Sequence, residues 1–254
     1  MSKWSGVAEA YRTSFATLCA GTVERLLADT IGDDHLDVGC GTGDLALAAT
    51  RLGRQVVAVD ADPEMVAMTT AAMRGVVIEA ALPHLPFDDA SFDVVTANFV
   101  VNHVPDPRAA VRELARVARP GGRVAVTCWP ARTQPWASLV GDAFTAAGVV
   151  PQTGQRLSPE LDFERSVTGL RGLAEDAGLK VVTATELRWE WEIGVDALWS
   201  GITGGVATVG QTFLAQTGEV QDKAETELRQ IMGEVARDGM LGLPSAAAYV
   251  VAVA

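Results

Sequence analysis

Short apolar runs alternate with stretches of helical periodicity from about residue 8 to residue 182. In the longer stretches apolar residues recur at spacings of three and four, as in helices that bury one face. The short runs are rich in β-branched residues and predict buried strands at residues 36–38, 55–60, 76–78, 92–97 and 123–127. Strands separated by helices predict a parallel sheet with right-handed crossovers and helices on both faces.

Aspartate–proline pairs mark two of the predicted helix starts. Asp62 and Asp106 each precede a proline, so the aspartate can accept the first free N–H groups while the proline takes the first helical position. Residues 7–28 predict one helix or a pair of helices. After Trp129 the pattern changes, and we expect a helix at 137–147, a helix at 161–177, a strand at 180–191, two helices within 197–236 and a final strand at 246–253.

The composition argues against several classes of protein. The chain has 254 residues, 48% of them hydrophobic, and no apolar run reaches the ~18 residues that cross a bilayer. Its 20 Lys and Arg against 32 Asp and Glu give a net charge of −12, without a basic cluster for phosphates. Cys19, Cys40 and Cys128 lie far apart, which favours reduced thiols. We expect a soluble cytoplasmic protein with no nucleic-acid, membrane or metal partner.

The stretch LDVGCGTGDLALAATRLGRQVVAVDAD, residues 36–62, carries alternate glycines between a predicted strand and a predicted helix. Glycines there let the backbone approach a ligand at the carboxyl end of the strand. A dinucleotide-binding turn has the order G-x-G-x-x-G, but the sixth position here is Asp44, whose charge opposes a pyrophosphate at the helix N-terminus. No Gly-Lys-Ser/Thr follows, so a phosphate loop is excluded.

Two carboxylates add to the turn. Asp60 ends the second predicted strand, where it can accept hydrogen bonds from both hydroxyls of a ribose. Asp37 directly precedes the turn and can face a ligand ammonium group. A ligand with a ribose, a cationic amine and no phosphate is S-adenosylmethionine.

Four segments, LDVGCGTG, VVAVDADPEMV, LPFDDASFDVV and RVARPGGRVAV, resemble the successive motifs of class I S-adenosylmethionine-dependent methyltransferases. The type they resemble is the ubiquinone and menaquinone biosynthesis group with its small-molecule relatives. The resemblance runs from about Tyr11 to Trp129 and weakens beyond. It implies an α/β fold with a doubly wound, mostly parallel, seven-stranded Rossmann-like sheet, a helical cap insertion and an N-terminal helical lid.

Under this resemblance we expect a single methyltransferase domain over residues 1–254. Residues 1–30 would form the N-terminal lid, and residues 31–129 the cofactor-binding core. The cap insertions would comprise residues 130–160 and 194–240, and the remaining core residues 161–193 and 241–254.

The resemblance also implies individual contacts to S-adenosylmethionine. Asp37 would lie near its ammonium, and Asp60 would bind its ribose. The turn residues would pass under its amino-acid part: Gly39, Gly41, Thr42 and Gly43. The remaining contacts would come from Ala61 beside the adenine, Met65 on the adenine face, Asn98 at the methionine moiety and Tyr11 on the closing N-terminal helix.

One position departs from the family pattern. Four residues before the Leu-Pro-Phe segment, many relatives place Asp or Asn against the adenine amine, whereas this chain has Ala81. Ala81 and Leu82 offer backbone groups, and Glu79 lies two residues upstream. How the adenine is recognised is left open.

The three histidines are candidates for acid–base chemistry. His35 precedes the first predicted strand, and we expect it to be exposed. His84 lies in a proline-flanked turn and is expected to be structural. His103 follows the fourth predicted strand and is the candidate general base for a hydroxyl acceptor.

The predicted reaction is methyl transfer to a small-molecule acceptor, at oxygen or carbon rather than nitrogen. The Asn-Pro-Pro-Tyr signature of certain N-methyltransferases is absent. One alternative is a protein of the same fold that binds the cofactor only, or catalyses a cyclisation or rearrangement. A more distant alternative is a nicotinamide-dependent oxidoreductase, which the missing sixth-position glycine disfavours.

The segment RWEWEIGVDALWSG holds three of the six tryptophans. On a strand, Trp189, Trp191 and Ile193 share one face, opposite Arg188, Glu190 and Glu192. Trp199 and Trp136 are candidates for lining an apolar acceptor cavity. The alternative is that these rings only pack the cap onto the sheet.

Overall fold

The structure, a computed structural model, describes residues 6–152 and 157–254. Its strands are β1 (Asp34–Val38), β2 (Gln55–Asp60), β3 (Val76–Glu79), β4 (Phe92–Ala97), β5 (Ala118–Cys128), β6 (Lys180–Gly194) and β7 (Met240–Val253). All seven join one sheet in the order β3-β2-β1-β4-β5-β7-β6. The pairs β1–β2, β1–β4, β2–β3 and β4–β5 are parallel, and β7 pairs antiparallel with β5. The predicted mostly parallel, seven-stranded α/β sheet is confirmed.

The helices connect the strands and extend beyond the sheet. They are α1 (Ala8–Thr13), α2 (Phe15–Ala20), α3 (Val23–Ala28), α4 (Asp44–Arg51), α5 (Pro63–Ala72), α6 (Pro107–Val117), α7 (Pro135–Ala147), α8 (Val167–Asp176), α9 (Val195–Thr203), α10 (Ala207–Leu214) and α11 (Gly218–Val235). Asp62 caps α5 by accepting from the N–H groups of Glu64 and Met65, as predicted. Asp106 caps α6 in the same way through the N–H of Ala109.

Three helical regions differ from the predicted ones. The helix predicted at 161–177 begins only at Val167, after Ser166, whose side chain accepts from the N–H of Gly169. Residues 7–28 form three short helices instead of one or two, with Gly21 ending α2. Residues 197–236 form three helices instead of two. The first break follows from Gly204 and Gly205, because Gly205 adopts a φ of +78°, which ends a right-handed helix. The second break lies between Leu214 and Gly218.

The chain folds into two compact units, each built from separate stretches of the sequence. The first comprises Met1–Gly21, Arg132–Arg156 and Arg188–Ser245, and the second comprises Thr22–Ala131, Leu157–Leu187 and Ala246–Ala254. Organisation as a single domain with a lid and a cap stays a prediction.

The second unit contains a large apolar core. It includes Leu36 and Val38 from β1, Val95 from β4, Val124 from β5, and Leu114 from α6, all of them buried. These strands are rich in β-branched residues and leucine, so their side chains can be buried against helices on the faces of the sheet. The result is a rigid frame for the carboxyl ends of β1, β2 and β4.

The first unit is built on aromatic packing. Along β6, Trp191 and Ile193 are buried while Arg188, Glu190 and Glu192 are exposed, which confirms the predicted alternation. The indole N–H of Trp191 donates to Thr17 at 2.8 Å.

No helix in residues 6–152 or 157–254 is long and apolar enough to span a membrane. The same residues contain no group of three or more His, Cys, Asp or Glu arranged to hold a metal ion. A cytoplasmic location stays a prediction.

Candidate functional site

The glycine turn follows β1 directly and is held by backbone hydrogen bonds. The N–H groups of Gly39 and Cys40 donate to the carbonyl of Val59 at 2.8 and 2.9 Å. Gly39, Gly41 and Gly43 all have positive φ, at 68°, 55° and 91°. Because L side chains rarely adopt these angles, the three glycines are required by the path of the chain itself.

Two of these glycines also have close neighbours within the second unit. A Cβ on Gly39 would lie 2.4 Å from a methyl of Val100, and a Cβ on Gly43 would lie 3.0 Å from the Thr69 hydroxyl. The Thr69 hydroxyl donates to the carbonyl of Gly41 at 2.9 Å. Val100 and Thr69 therefore pack closely against the turn, and its shape is set by contacts within the protein.

Asp60, at the end of β2, accepts a hydrogen bond from the glycine turn. Its Oδ2 accepts from the N–H of Gly41 at 2.8 Å, and its Oδ1 accepts from the N–H of Asp62 at 3.0 Å. Burial raises the pKa of the Asp60 carboxyl, while those two N–H groups lower it. Each oxygen keeps a lone pair for a further donor, as a ribose diol requires.

Asp37 is the most deeply buried carboxylate beside the turn. Its Oδ1 accepts from the Thr96 hydroxyl at 3.0 Å, but its Oδ2 has no hydrogen-bond partner among the residues that the structure describes. Burial raises the pKa of Asp37 to about 7, the Thr96 hydroxyl opposes this rise, and the Asp60 carboxylate adds to it. The N–H of Ala46 also lowers this pKa, without reaching hydrogen-bond geometry at Oδ2.

His35 is buried, so the prediction that it is exposed is wrong. It lies inside β1, which begins one residue earlier at Asp34, and its side chain packs within the second unit. Its Nε2 lies 2.9 Å from the Thr96 hydroxyl, and its Nδ1 lies 3.3 Å from Arg54. Burial and the charge of Arg54 lower the pKa of His35 to about 3, so the ring is neutral.

Asn98 follows β4 and is fixed by two hydroxyl groups. Its Oδ1 accepts from Thr22 at 2.8 Å and from Thr127 at 2.6 Å. The next residue, Phe99, has a φ of 57° and stacks on Trp129 with ring centroids 3.9 Å apart. A non-glycine residue at positive φ is strained, and such strain is common where a loop shapes a site.

Apart from Tyr11, the other predicted cofactor contacts also lie in the second unit. Thr42 is buried, and its hydroxyl donates to Asp44 at 2.8 Å. Met65 and Leu82 are buried, whereas Ala61 and Ala81 are exposed. Ala81 forms a bridge with His84, and β3 places Glu79 opposite Asp60. The carboxyl ends of β1, β2 and β4 thus bring together most of the residues singled out in the sequence.

His103 lies in the turn after β4 and is exposed. The Asn102 amide is 3.0 Å from its Nε2, an arrangement in which the amide N–H donates to the ring. The Oδ1 of Asn102 is buried and has no hydrogen-bond partner within the described part of the chain. A proton-accepting role for Nε2 requires Asn102 to release it.

Tyr11, Trp136 and Trp199 belong to the first unit. Trp199 is buried, edge-on to Phe213 at 5.1 Å, with the guanidinium of Arg229 5.9 Å from its ring. Trp136 is partly exposed and edge-on to Phe15 at 5.1 Å. Its indole N–H is buried and meets no hydrogen-bond acceptor in residues 6–152 and 157–254. Their contacts to cofactor and acceptor stay predictions.

The residues beside the turn suit a cation better than an anion. The buried Oδ2 of Asp37 lacks a donor within the described ranges, and Asp44 and Asp60 add negative charge nearby. A pyrophosphate would meet three carboxylates there, whereas an ammonium would supply the missing donor to Asp37. The sheet order, the glycine turn and the two strand-end carboxylates are those expected of an α/β protein that binds a nucleoside carrying a cationic group.

Comparison with known proteins agrees with this class. A family model described as a methyltransferase domain matches residues 36–126. The chain is 29% identical over 191 residues to a demethylmenaquinone methyltransferase of Lactobacillus johnsonii, covering 67% of this chain and 76% of that protein. It is 37% identical over 123 residues to a ubiquinone biosynthesis O-methyltransferase of Serratia proteamaculans, covering 46% of this chain and 51% of that protein.

A solved structure shares the fold. The YcgJ protein of Bacillus subtilis superposes with a TM-score of 0.56 at 20% identity, covering 91% of this chain and 97% of that one. Residues 36–126 thus carry a methyltransferase domain, and the chain is similar to methyltransferases that act on small molecules. S-adenosylmethionine is its cofactor.

Proposed function

We propose that this chain methylates an apolar small molecule at oxygen or carbon, with S-adenosylmethionine held at the carboxyl ends of β1, β2 and β4. The observation that carries the proposal is the buried Oδ2 of Asp37, which has no donor among the described residues and lies beside a preformed glycine turn. A ligand ammonium would satisfy this oxygen at the end of the site where the amino-acid part is expected.

When bound, S-adenosylmethionine supplies an electrophilic methyl group on a sulfonium. The chain's contribution is to bind and orient. Asp60 presents lone pairs to the ribose hydroxyls, and the turn from Gly39 to Gly43 lets the ligand approach the backbone. Such positioning lowers the barrier by about 7–11 kcal/mol when it places the reacting groups in line.

Supporting contacts are proposed for the adenine and the methionine moiety. Ala61 and Met65 would border the adenine, with Ala81 and Leu82 offering backbone groups to its amine. Asn98 would contact the methionine part, since two hydroxyls already fix its Oδ1 and so orient the rest of the amide. Tyr11 is proposed as a further cofactor contact.

The preference for oxygen or carbon rests on the absent N-methyltransferase signature and on the relatives' names. One of these relatives is named for O-methyl transfer in ubiquinone biosynthesis, and the other for the methylation of demethylmenaquinone. We propose a flat, apolar hydroxylated ring as the acceptor class. For contact with this acceptor, Trp136 is a better candidate than Trp199. The ring of Trp199 already packs against Phe213 and lies near the guanidinium of Arg229.

The test is incubation with labelled S-adenosylmethionine and matched acceptors: a hydroquinone, its O-methylated form and an aromatic amine of similar size. We expect labelled product and S-adenosylhomocysteine with the hydroquinone and none with the amine; product from the O-methylated form as well would assign the transfer to carbon. Methylation of the amine alone would contradict the assignment of oxygen or carbon. A changed acceptor without S-adenosylhomocysteine would support the alternative of a cyclisation or rearrangement.

His103 is proposed as the base that accepts the proton of a hydroxyl acceptor. If so, His103→Gln should lower the rate at saturating cofactor and remove a pH dependence near neutrality. The matched control is Asn102→Ala, which frees Nε2 and should shift the profile without abolishing it. An unchanged pH–rate profile in His103→Gln would exclude this role.

A further inference from the structure

Four polar side chains form a continuous hydrogen-bonded series through the second unit. Arg54 Nη1 lies 3.3 Å from His35 Nδ1, and His35 Nε2 lies 2.9 Å from the Thr96 hydroxyl. The Thr96 hydroxyl in turn donates to Asp37 Oδ1 at 3.0 Å. His35 and Thr96 are both buried. The series ends at Asp37, the carboxylate that borders the glycine turn.

The direction of every hydrogen bond in the series follows from the chemistry of its first member. A guanidinium has donors only, so His35 Nδ1 must accept from Arg54. The ring is neutral, which places its one hydrogen on Nε2 and makes Nε2 the donor to Thr96. The hydroxyl has then accepted from the ring, and its own hydrogen is directed to Asp37 Oδ1. The carbonyl of Leu36, at 3.4 Å, is the more distant acceptor.

The first member is itself held in place. The second Arg54 nitrogen, Nη2, donates to the carbonyl of Leu27 at 2.8 Å and to that of Thr30, and Nη1 also reaches the Thr30 hydroxyl at 3.0 Å. These acceptors lie at and just beyond the carboxyl end of α3, where free carbonyls attract a cation. The series therefore starts from a guanidinium whose orientation is fixed.

We propose that His35 is a positioning residue for cofactor binding, which acts through Thr96 to hold Asp37 with Oδ1 occupied and Oδ2 presented to the ligand ammonium. This inference rests on the cofactor site proposed above. Without the imidazole, Thr96 is free to turn its hydrogen toward the carbonyl of Leu36, and Asp37 loses both a donor and a fixed orientation.

The test compares two ligands that differ at the ammonium end. S-adenosylhomocysteine carries the amino-acid part, and 5′-methylthioadenosine shares the adenosine and the thioether but has no ammonium. Calorimetry on His35→Leu should show S-adenosylhomocysteine binding weakened about 5- to 30-fold, because the Asp37 carboxylate remains but is no longer held in orientation toward the ammonium. Binding of 5′-methylthioadenosine should change less than about twofold, since no ammonium reaches Asp37.

A second pair of variants covers the case in which His35→Leu does not fold. Thr96→Val removes the hydroxyl at nearly constant volume and should produce the same ligand-selective loss. Thr96→Ser keeps the hydroxyl and should bind both ligands much as the wild type does. If both ligands bind equally more weakly, the role of His35 and Thr96 is merely structural. If S-adenosylhomocysteine binds as in the wild type, they have no role in binding it. Either result overturns the proposal.

Failure of the cofactor site itself would look different. In that case the wild type would not bind S-adenosylhomocysteine, or Asp37→Asn would weaken the two ligands equally. If Asp37→Asn is selective for S-adenosylhomocysteine while His35→Leu and Thr96→Val are not, the cofactor site stands and the positioning role of His35 is wrong.

Discussion

Burial and the neighbouring carboxylates act in the same direction on Asp37. Its pKa rises from an ordinary value near 3.8 to about 7, because the charged form loses hydration and faces Asp60. A raised pKa means that the folded chain holds this proton while the unfolded chain releases it. The free energy of unfolding attributable to Asp37 therefore falls as pH rises from about 4 to 7, by roughly 4 kcal/mol in total.

Cofactor affinity should move the opposite way with pH. An ammonium binds the ionised form of Asp37, so affinity for S-adenosylhomocysteine should rise about tenfold between pH 6 and pH 8. Calorimetry across this range measures the slope, with 5′-methylthioadenosine as the ligand that lacks the ammonium. Asp37→Asn should flatten the slope; a slope that persists in that variant would assign the titration to another group.

Asp60 serves the turn as well as the proposed ribose contact. Asp60→Ala leaves the N–H groups of Gly41 and Asp62 without their acceptor, so the free energy of unfolding should fall by about 1–3 kcal/mol. Affinity for S-adenosylhomocysteine should fall by about 1.5–3 kcal/mol as well. Asp60→Asn keeps one oxygen and should recover part of both losses, as measured by urea unfolding and calorimetry. Wild-type affinity in the Ala variant would remove Asp60 from the site.

At the scale of one element, the glycine turn is shaped by two separable effects. Gly39→Ala places a side chain at a φ of +68°, which costs about 1–2 kcal/mol, and brings its Cβ to 2.4 Å from Val100. The double variant with Val100→Ala removes the clash but not the unfavourable angle. Urea unfolding should therefore show less destabilisation than the sum of the single variants. If the two destabilisations simply add, the Val100 side chain can move away from the new Cβ without a loss of free energy of unfolding.

Much of the element pattern was open to prediction because its causes are local. Asp62 and Asp106 cap their helices through residues two or three positions away, and the Trp191 face of β6 follows from strand alternation alone. The extra helix break near Leu214 was not predictable in this way, since no proline or glycine lies between Leu214 and Gly218.

The surroundings of Asp37 were only partly predictable, because they depend on which strands become neighbours. Asp37 itself follows from its place before the turn. Thr96 becomes its partner because β4 pairs with β1 in a register that sets the two residues side by side. His35 shares a face of β1 with Asp37, a signal the sequence did contain, but its burial required the sheet on both sides.

At the scale of the whole molecule, ligand-dependent melting distinguishes an S-adenosylmethionine site from a dinucleotide site at the glycine turn. S-adenosylhomocysteine at about 100 times its Kd should stabilise the chain by about 2.7 kcal/mol, a rise in Tm of several degrees. NAD at the same concentration should leave Tm unchanged, since its pyrophosphate would meet Asp37, Asp44 and Asp60. Stabilisation by NAD alone would favour the oxidoreductase alternative.

The position of Asp37 at the amino-acid end of the proposed site has a kinetic consequence. The ammonium it would hold is the same before and after the methyl group leaves, so this contact stabilises the bound substrate, the transition state and the bound product alike. Uniform binding of this kind tightens the complex without lowering the chemical barrier. It also retains the demethylated product, and turnover then depends on how fast S-adenosylhomocysteine dissociates or is removed by another enzyme.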